Sequence, residues 1–136
     1  MMIRREAFDA VHGFNESFFM YSEEVDLCYR LHTAGWQIHF APVATILHIG
    51  EASTSQHRIE MGVRLYRSMR LFYRLHYSRV SMLQLRLIIV YIALRSLISD
   101  SIQLGRAGHP SDRAWLADDV GMWKRVLADT LSTTTS

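Results

Sequence analysis

Ser22-Glu23-Glu24-Val25-Asp26 places three carboxylates within four positions, directly behind a residue that can cap a helix. Like charges this close on a helix repel one another, so selection for stability alone would spread them out. A carboxylate at a helix start is held by backbone N–H groups, and within hydrogen-bond reach of a hydroxyl it can take the proton as a general base. Asp26 stands four positions before Arg30, the spacing of an i,i+4 ion pair. An aromatic-rich turn, Phe14 to Tyr21, leads into the carboxylates. The plainer account is a charged helix start serving dipole and solubility, and spacing alone does not choose between the two. His39 and His57 have no partner at metal-ligand spacing, and Cys28 beside Val25 reads as a small buried hydrophobe.

Several elements must position these groups. Met1-Met2-Ile3 reads as a short strand and Arg5 to Val11 as a brief helix, which Gly13 ends. Ser22 is the expected N-cap of a second helix, with Gly35 just beyond its end. Trp36 to Phe40 alternates apolar and polar residues with a strand period, Pro42 stops it, and Val43 to Leu47 is a further extended piece. After Gln56 the pattern is helical. Ile59, Val63, Tyr66, Met69, Tyr73 and His76 share one face, with arginines on much of the remainder. Ser81 is the expected cap of the next helix, running to Gly105. A last helix follows Ser111, with Leu116, Val120, Trp123 and Leu127 facing inward. The expected organisation is an α/β front over residues 1–55, a helical region over 56–131 and a disordered tail at 132–136. Three short strands without a hairpin signal are few for a stable sheet, and the chain reads as though it begins inside a domain.

The chain has 136 residues, 49% of them apolar and 21% charged, a globular and not a disordered balance. A net charge of +2 implies no nucleic-acid partner, although carboxylates crowd the first third and arginines the stretch from Arg58 to Arg95. One cysteine excludes an internal disulfide and suits a reducing compartment. The apolar run Leu83 to Ile98 is interrupted by Arg86 and Arg95, which leaves too short a stretch to span a bilayer. A buried helix or one lying in the membrane interface fits better.

Ile3-Arg4-Arg5, Phe8, Val11, the run Gly13-Phe14-Asn15-Glu16, Phe18-Phe19, Tyr21, Glu23-Glu24-Val25-Asp26-Leu27, Arg30, Gly35-Trp36, Pro42 and His48-x-Gly50 resemble glycosyltransferase family 2. The likeness is greatest to bacterial rhamnosyltransferase-like members that build cell-surface polysaccharide, and it covers Met2 to about Ser53. The resemblance implies the C-terminal, acceptor-binding half of an A-type glycosyltransferase fold, followed here by about three helices. Glycine-rich turns and the aspartate pair of the nucleotide-binding half have no counterpart, so the chain resembles part of a longer enzyme, inactive without a missing N-terminal half.

Carried over residue by residue, the resemblance makes Glu24 the catalytic base, where the family usually has an aspartate one methylene shorter. Glu23, Phe19 and Tyr21 would contact the acceptor, and Asp26 with Arg30 would hold the helix against the aromatic turn. His48 would help coordinate a divalent ion, manganese or magnesium, beside the leaving diphosphate, although Glu51 stands where the family often has a second glycine. The implied reaction is inverting transfer from a nucleotide-sugar to a hydroxyl of a glycan or lipid-linked acceptor. It would take place in the cytoplasm or at the inner face of the cytoplasmic membrane. The alternative is a non-catalytic membrane-surface or interaction module that works through Arg58, Arg64, Arg67, Arg70 and Arg74.

Overall fold

The computed structural model describes residues 1–43, 45, 47 and 57–132. The chain divides into two compact units, Met1–Ala52 and Ser53–Ser136. Helix accounts for 72% of the described residues and none of them is in a strand, which overturns the expected α/β glycosyltransferase half. The described parts of all three expected strands are irregular. Trp36 to Phe40 alternates as a strand does, but Phe40, Val43 and Leu47 lie exposed, with no strand among the described residues to satisfy a ladder or a face. Trp36, the first residue of the second expected strand, is already committed elsewhere, because its N–H closes the preceding helix on the Leu31 carbonyl at 3.0 Å.

In the first unit α1 spans Arg5–Ala10 and α2 spans Glu23–Thr33. Each ends in a Schellman pairing. Gly13 N–H donates to Phe8 O at 2.9 Å and His12 N–H to Asp9 O at 3.0 Å. After α2, Trp36 and Gly35 bond back to Leu31 and His32 in the same way. Gly35, at φ +87°, takes the left-handed conformation that a side chain disfavours. At Gly13 the reason is contact as well as conformation, since a Cβ would sit 3.0 Å from the Phe8 ring. The small core joins Ala7, Leu27 and Leu31, with Ile3, Phe8, Val11 and Trp36 packed around them. This is an amphipathic pairing of two short helices.

The second unit is a three-helix bundle of α3 (Arg58–His76), α4 (Arg79–Arg106) and α5 (Pro110–Leu131). The cap of α4 is Ser78 and not Ser81: the Ser78 Oγ accepts from the Ser81 N–H at 3.2 Å. His109 caps α5, with Pro110 in the first turn where a missing N–H is harmless. Val63, Leu85, Ile89 and Val126 form the core, and Tyr66, Met69, Tyr73, Met122 and Trp123 pack on it. Val126 is buried on α5, whereas Leu127 is only half-buried.

Ion pairs lock α3 to α5. Arg58 meets Asp119 at 2.9 Å and Arg67 meets Asp129 at 2.6 Å, while Arg70 bonds both the carboxylate and the backbone carbonyl of Asp129. Because pairs nine to twelve residues apart on α3 match acids ten apart on α5, the two helices run in the same direction. By length and composition α4 could cross a membrane, contrary to the expectation from its two arginines, and only 17% of its most apolar stretch is buried.

Candidate functional site

The carboxylate segment sits at the first turn of α2, and its backbone differs from an ordinary capped start. Tyr21 and Ser22 both adopt left-handed conformations, at φ 68° and 67°. Ser22 occupies the cap position, but its side chain makes no capping bond, which corrects the expected role of its hydroxyl. The Ser22 carbonyl accepts the Asp26 N–H at 2.8 Å and so starts the helix. Two consecutive left-handed residues other than glycine are strained by roughly 1–2 kcal/mol each. The geometry survives because both sides of it are tied down.

Arg30 provides that tie. Its Nε donates to Asp26 Oδ2 at 2.7 Å, its Nη2 to Gly13 O at 2.7 Å and its Nη1 to Val11 O. Asp26 is fully buried. The planar guanidinium therefore links one carboxylate on α2 to two carbonyls at the end of α1, a three-way contact suited to its fork of donors. On the other side, Asn15 closes a short turn, its Oδ1 accepting from Ser17 N–H at 3.0 Å and its carbonyl from Phe18 N–H at 3.1 Å. Phe18 is buried by this turn, whereas its neighbour Phe19 is 81% exposed. Phe14 stands edge-on to Phe8, ring centroids 5.8 Å apart.

The three carboxylates thus have three environments. Asp26 is buried against Arg30, Glu24 is exposed, and Glu23 is half-buried. The Glu23 Oε2 is itself shielded from solvent and has no hydrogen-bond partner among the described residues. A buried acceptor left in that state is unfavourable by about 1–3 kcal/mol, which a donor such as a hydroxyl would relieve. Phe19, half-buried Tyr21, Glu23 and Glu24 lie on one continuous segment entering α2. Cys28 is half-buried. His48 lies outside the described residues.

Chemically, the segment offers an exposed carboxylate next to a second, shielded carboxylate oxygen that has no donor among the described residues. Among the described residues no three His, Cys, Asp or Glu side chains are placed to hold a metal ion. Sequence reasoning missed the left-handed pair at Tyr21-Ser22, for which Gly or Asn would have been the usual signal. It also missed Asp119 and Asp129 as the partners of the α3 arginines, although their ten-residue spacing matches that of Arg58 and Arg67 to Arg70.

Over 56 residues the chain is 46% identical to the N-acetylglucosaminyl-diphospho-decaprenol L-rhamnosyltransferase of Mycobacterium tuberculosis, covering 41% of this chain and 18% of that protein. It is 42% identical over 48 residues to the rhamnosyltransferase WbbL of Escherichia coli, covering 35% of this chain and 18% of that one. Against the low-salt glycan biosynthesis hexosyltransferase Agl10 of Haloferax volcanii it is 35% identical over 66 residues, 48% of this chain and 21% of that protein. No family model and no solved structure matches the chain. The chain spans about a fifth of the length of the curated relatives it matches, and over that stretch it is similar to rhamnosyltransferases and hexosyltransferases.

Proposed function

We propose that this chain carries the acceptor-side catalytic base of an inverting glycosyltransferase. The enzyme would move a sugar from a nucleotide-sugar to a hydroxyl of a cell-surface glycan or lipid-linked acceptor. The observation that carries this reading is the 46% identity over 56 residues to a rhamnosyltransferase. The exposed carboxylate of Glu24 at the first turn of α2 is in keeping with it.

In the proposed step, Glu24 takes the proton of the acceptor hydroxyl as that oxygen bonds to the anomeric carbon. The bond from that carbon to the nucleoside diphosphate breaks, and its electron pair leaves with the diphosphate. The Glu23 Oε2 accepts a hydrogen bond from a second acceptor hydroxyl, and Phe19 and Tyr21 border the acceptor. The donor is bound by a nucleotide-sugar-binding segment acting with this chain. A manganese or magnesium ion belongs to that complete assembly, together with His48, and the reaction takes place at the cytoplasmic face of the membrane when the acceptor is lipid-linked. The alternative that rests on an arginine-rich surface loses much of its basis, because Arg58, Arg67 and Arg70 are already engaged by acids of α5.

The test is sugar transfer to a lipid-diphosphate-linked sugar, from a panel of nucleotide-sugars, by the chain combined with the donor-binding part of a rhamnosyltransferase. Transfer should require both components and fall roughly 10²–10⁴-fold with Glu24→Gln. Undiminished transfer by Glu24→Gln would remove Glu24 from the role. No transfer with any donor, from a folded mixture, would count against the whole reading.

A further inference from the structure

The most unusual surface of the helical unit is the outward side of α4. Leu83, Leu87, Tyr91, Leu94, Ile98 and Ile102 are all exposed there, Leu87 at 62% and Tyr91 at 65%. Their spacing of three and four residues gathers them, at ~100° per residue, into one arc about 100° wide. At 1.5 Å per residue the stripe is about 28 Å long. Leu85, Ile89 and Ala93 face the opposite way and are buried where α4 packs on α3 and α5. The helix is therefore apolar on two sides, and the bundle uses one of them.

Charge indicates what meets the other side. Around the helix, Arg79 lies along one edge of the stripe and Arg95 and Arg106 along the other, while half-buried Arg86 falls nearer the bundle with its Nε shielded. Asp100, the sole acid of α4, falls on the inner side with Ile89 and Ala93. Arg79, Arg95 and Arg106 are exposed and form no ion pair among the described residues, unlike the arginines of α3. The surrounding unit has twelve basic against six acidic residues, a net +6, whereas Met1–Ala52 has three against seven, a net −4.

We propose that this face of α4 is a docking surface for an anionic lipid bilayer. The helix lies along the membrane with its apolar stripe among the acyl chains and its arginines at the phosphates. A spanning orientation would carry the ion-paired faces of α3 and α5 into hydrocarbon, so the packing of the bundle favours lying over crossing. A second copy of the chain fits this face poorly. Paired across the stripe, two copies would bring arginine edge against arginine edge, with no acid on that face to offset them. A strip ~28 Å by ~10 Å also offers roughly 300 Å² per copy, well short of the ~800 Å² per partner of a stable interface. From the sequence, Leu83 to Ile98 read as a buried helix or one lying in the membrane interface; in the structure one side of α4 is buried and the other lies outside. The proposal does not depend on the glycosyl-transfer reading.

Co-sedimentation of the full chain with phosphatidylglycerol–phosphatidylcholine vesicles, against phosphatidylcholine alone, tests it. The chain should bind the anionic vesicles, less so as salt rises. Leu87→Glu with Tyr91→Glu should weaken binding at least about tenfold, as should Arg95→Glu with Arg106→Glu, while Leu131→Glu, exposed at the end of α5, should leave it unchanged. Circular dichroism verifies that each variant is folded. In an otherwise unaltered chain, a Tyr91→Trp indole should be quenched by brominated acyl chains. Any of three results overturns the proposal: no binding to anionic vesicles, binding indifferent to the α4 changes, or self-association in solution that the Leu87 and Tyr91 changes abolish while vesicle binding stays absent.

Discussion

Removing Arg30 should unfold the first unit while leaving the second intact. Arg30 joins the fully buried Asp26 carboxylate to the carbonyls of Val11 and Gly13 at the end of α1. Deleting one member of a buried, hydrogen-bonded ion pair destabilises by about 3–5 kcal/mol, because the other charge stays desolvated without that partner. At about 0.05–0.15 kcal/mol per residue, a unit of this size has roughly 3–8 kcal/mol in total. Arg30→Ala therefore takes most of what is there. Amide hydrogen exchange by mass spectrometry on the full chain separates the outcomes by segment. Amides of α1 and α2 should lose nearly all protection, and those of α3 to α5 should keep theirs. Arg30→Lys should rescue only part of the loss, since an ammonium cannot present the fork that reaches three acceptors. Wild-type protection of α2 in Arg30→Ala would refute the assignment of Arg30 as the tie that holds the carboxylate turn.

Asp129 predicts a pH dependence for the second unit. Burial pushes its carboxyl up, but the hydrogen bond from Arg67 and the charges of Arg70 and Arg67 outweigh burial and hold it below the ordinary aspartate value. With the folded pKa below the unfolded one, the contribution is present above the unfolded value and is lost as pH falls through the folded value. Asp129→Asn should lower the urea midpoint near neutral pH by the equivalent of about 1–2 kcal/mol, and that deficit should shrink under acid conditions. At Ser22 the left-handed backbone and the absent capping bond make Ser22→Gly stabilising by about 0.5 kcal/mol in the first unit, read as increased amide protection of α2. If Ser22→Gly lowers that protection, the serine side chain supports the turn in a way its geometry does not show.

Local patterns were legible wherever the cause was local. Gly35 after Thr33, the face of Val63, Tyr66, Met69 and Tyr73, and the inward Leu116 and Val120 all follow from helical periodicity and from the need for a left-handed residue after a helix. The strand period in Trp36 to Phe40 was just as visible and did not become a strand, since pairing requires a second segment that alternation within one cannot supply. The cap of α4 was displaced by one turn because Ser78 and Ser81 are both acceptable cap residues, and only the bond from the Ser81 N–H to the Ser78 Oγ distinguishes them.

The sequence by itself determined where helices form, which residues carry the likeness to sugar transferases, and that Glu23, Glu24 and Asp26 stand together at a helix start. Tertiary structure alone decided how those carboxylates differ: Asp26 buried on Arg30, Glu23 with a shielded oxygen lacking a donor among the described residues, and Glu24 exposed. It also decided that Arg58, Arg67 and Arg70 turn toward Asp119 and Asp129, and that α4 leaves an apolar face outside. The physical reason is common to all of these. Helix propensity and periodicity act over a few neighbouring residues, whereas burial and charge pairing depend on which distant segments meet, as with Arg67 and Asp129, 62 residues apart.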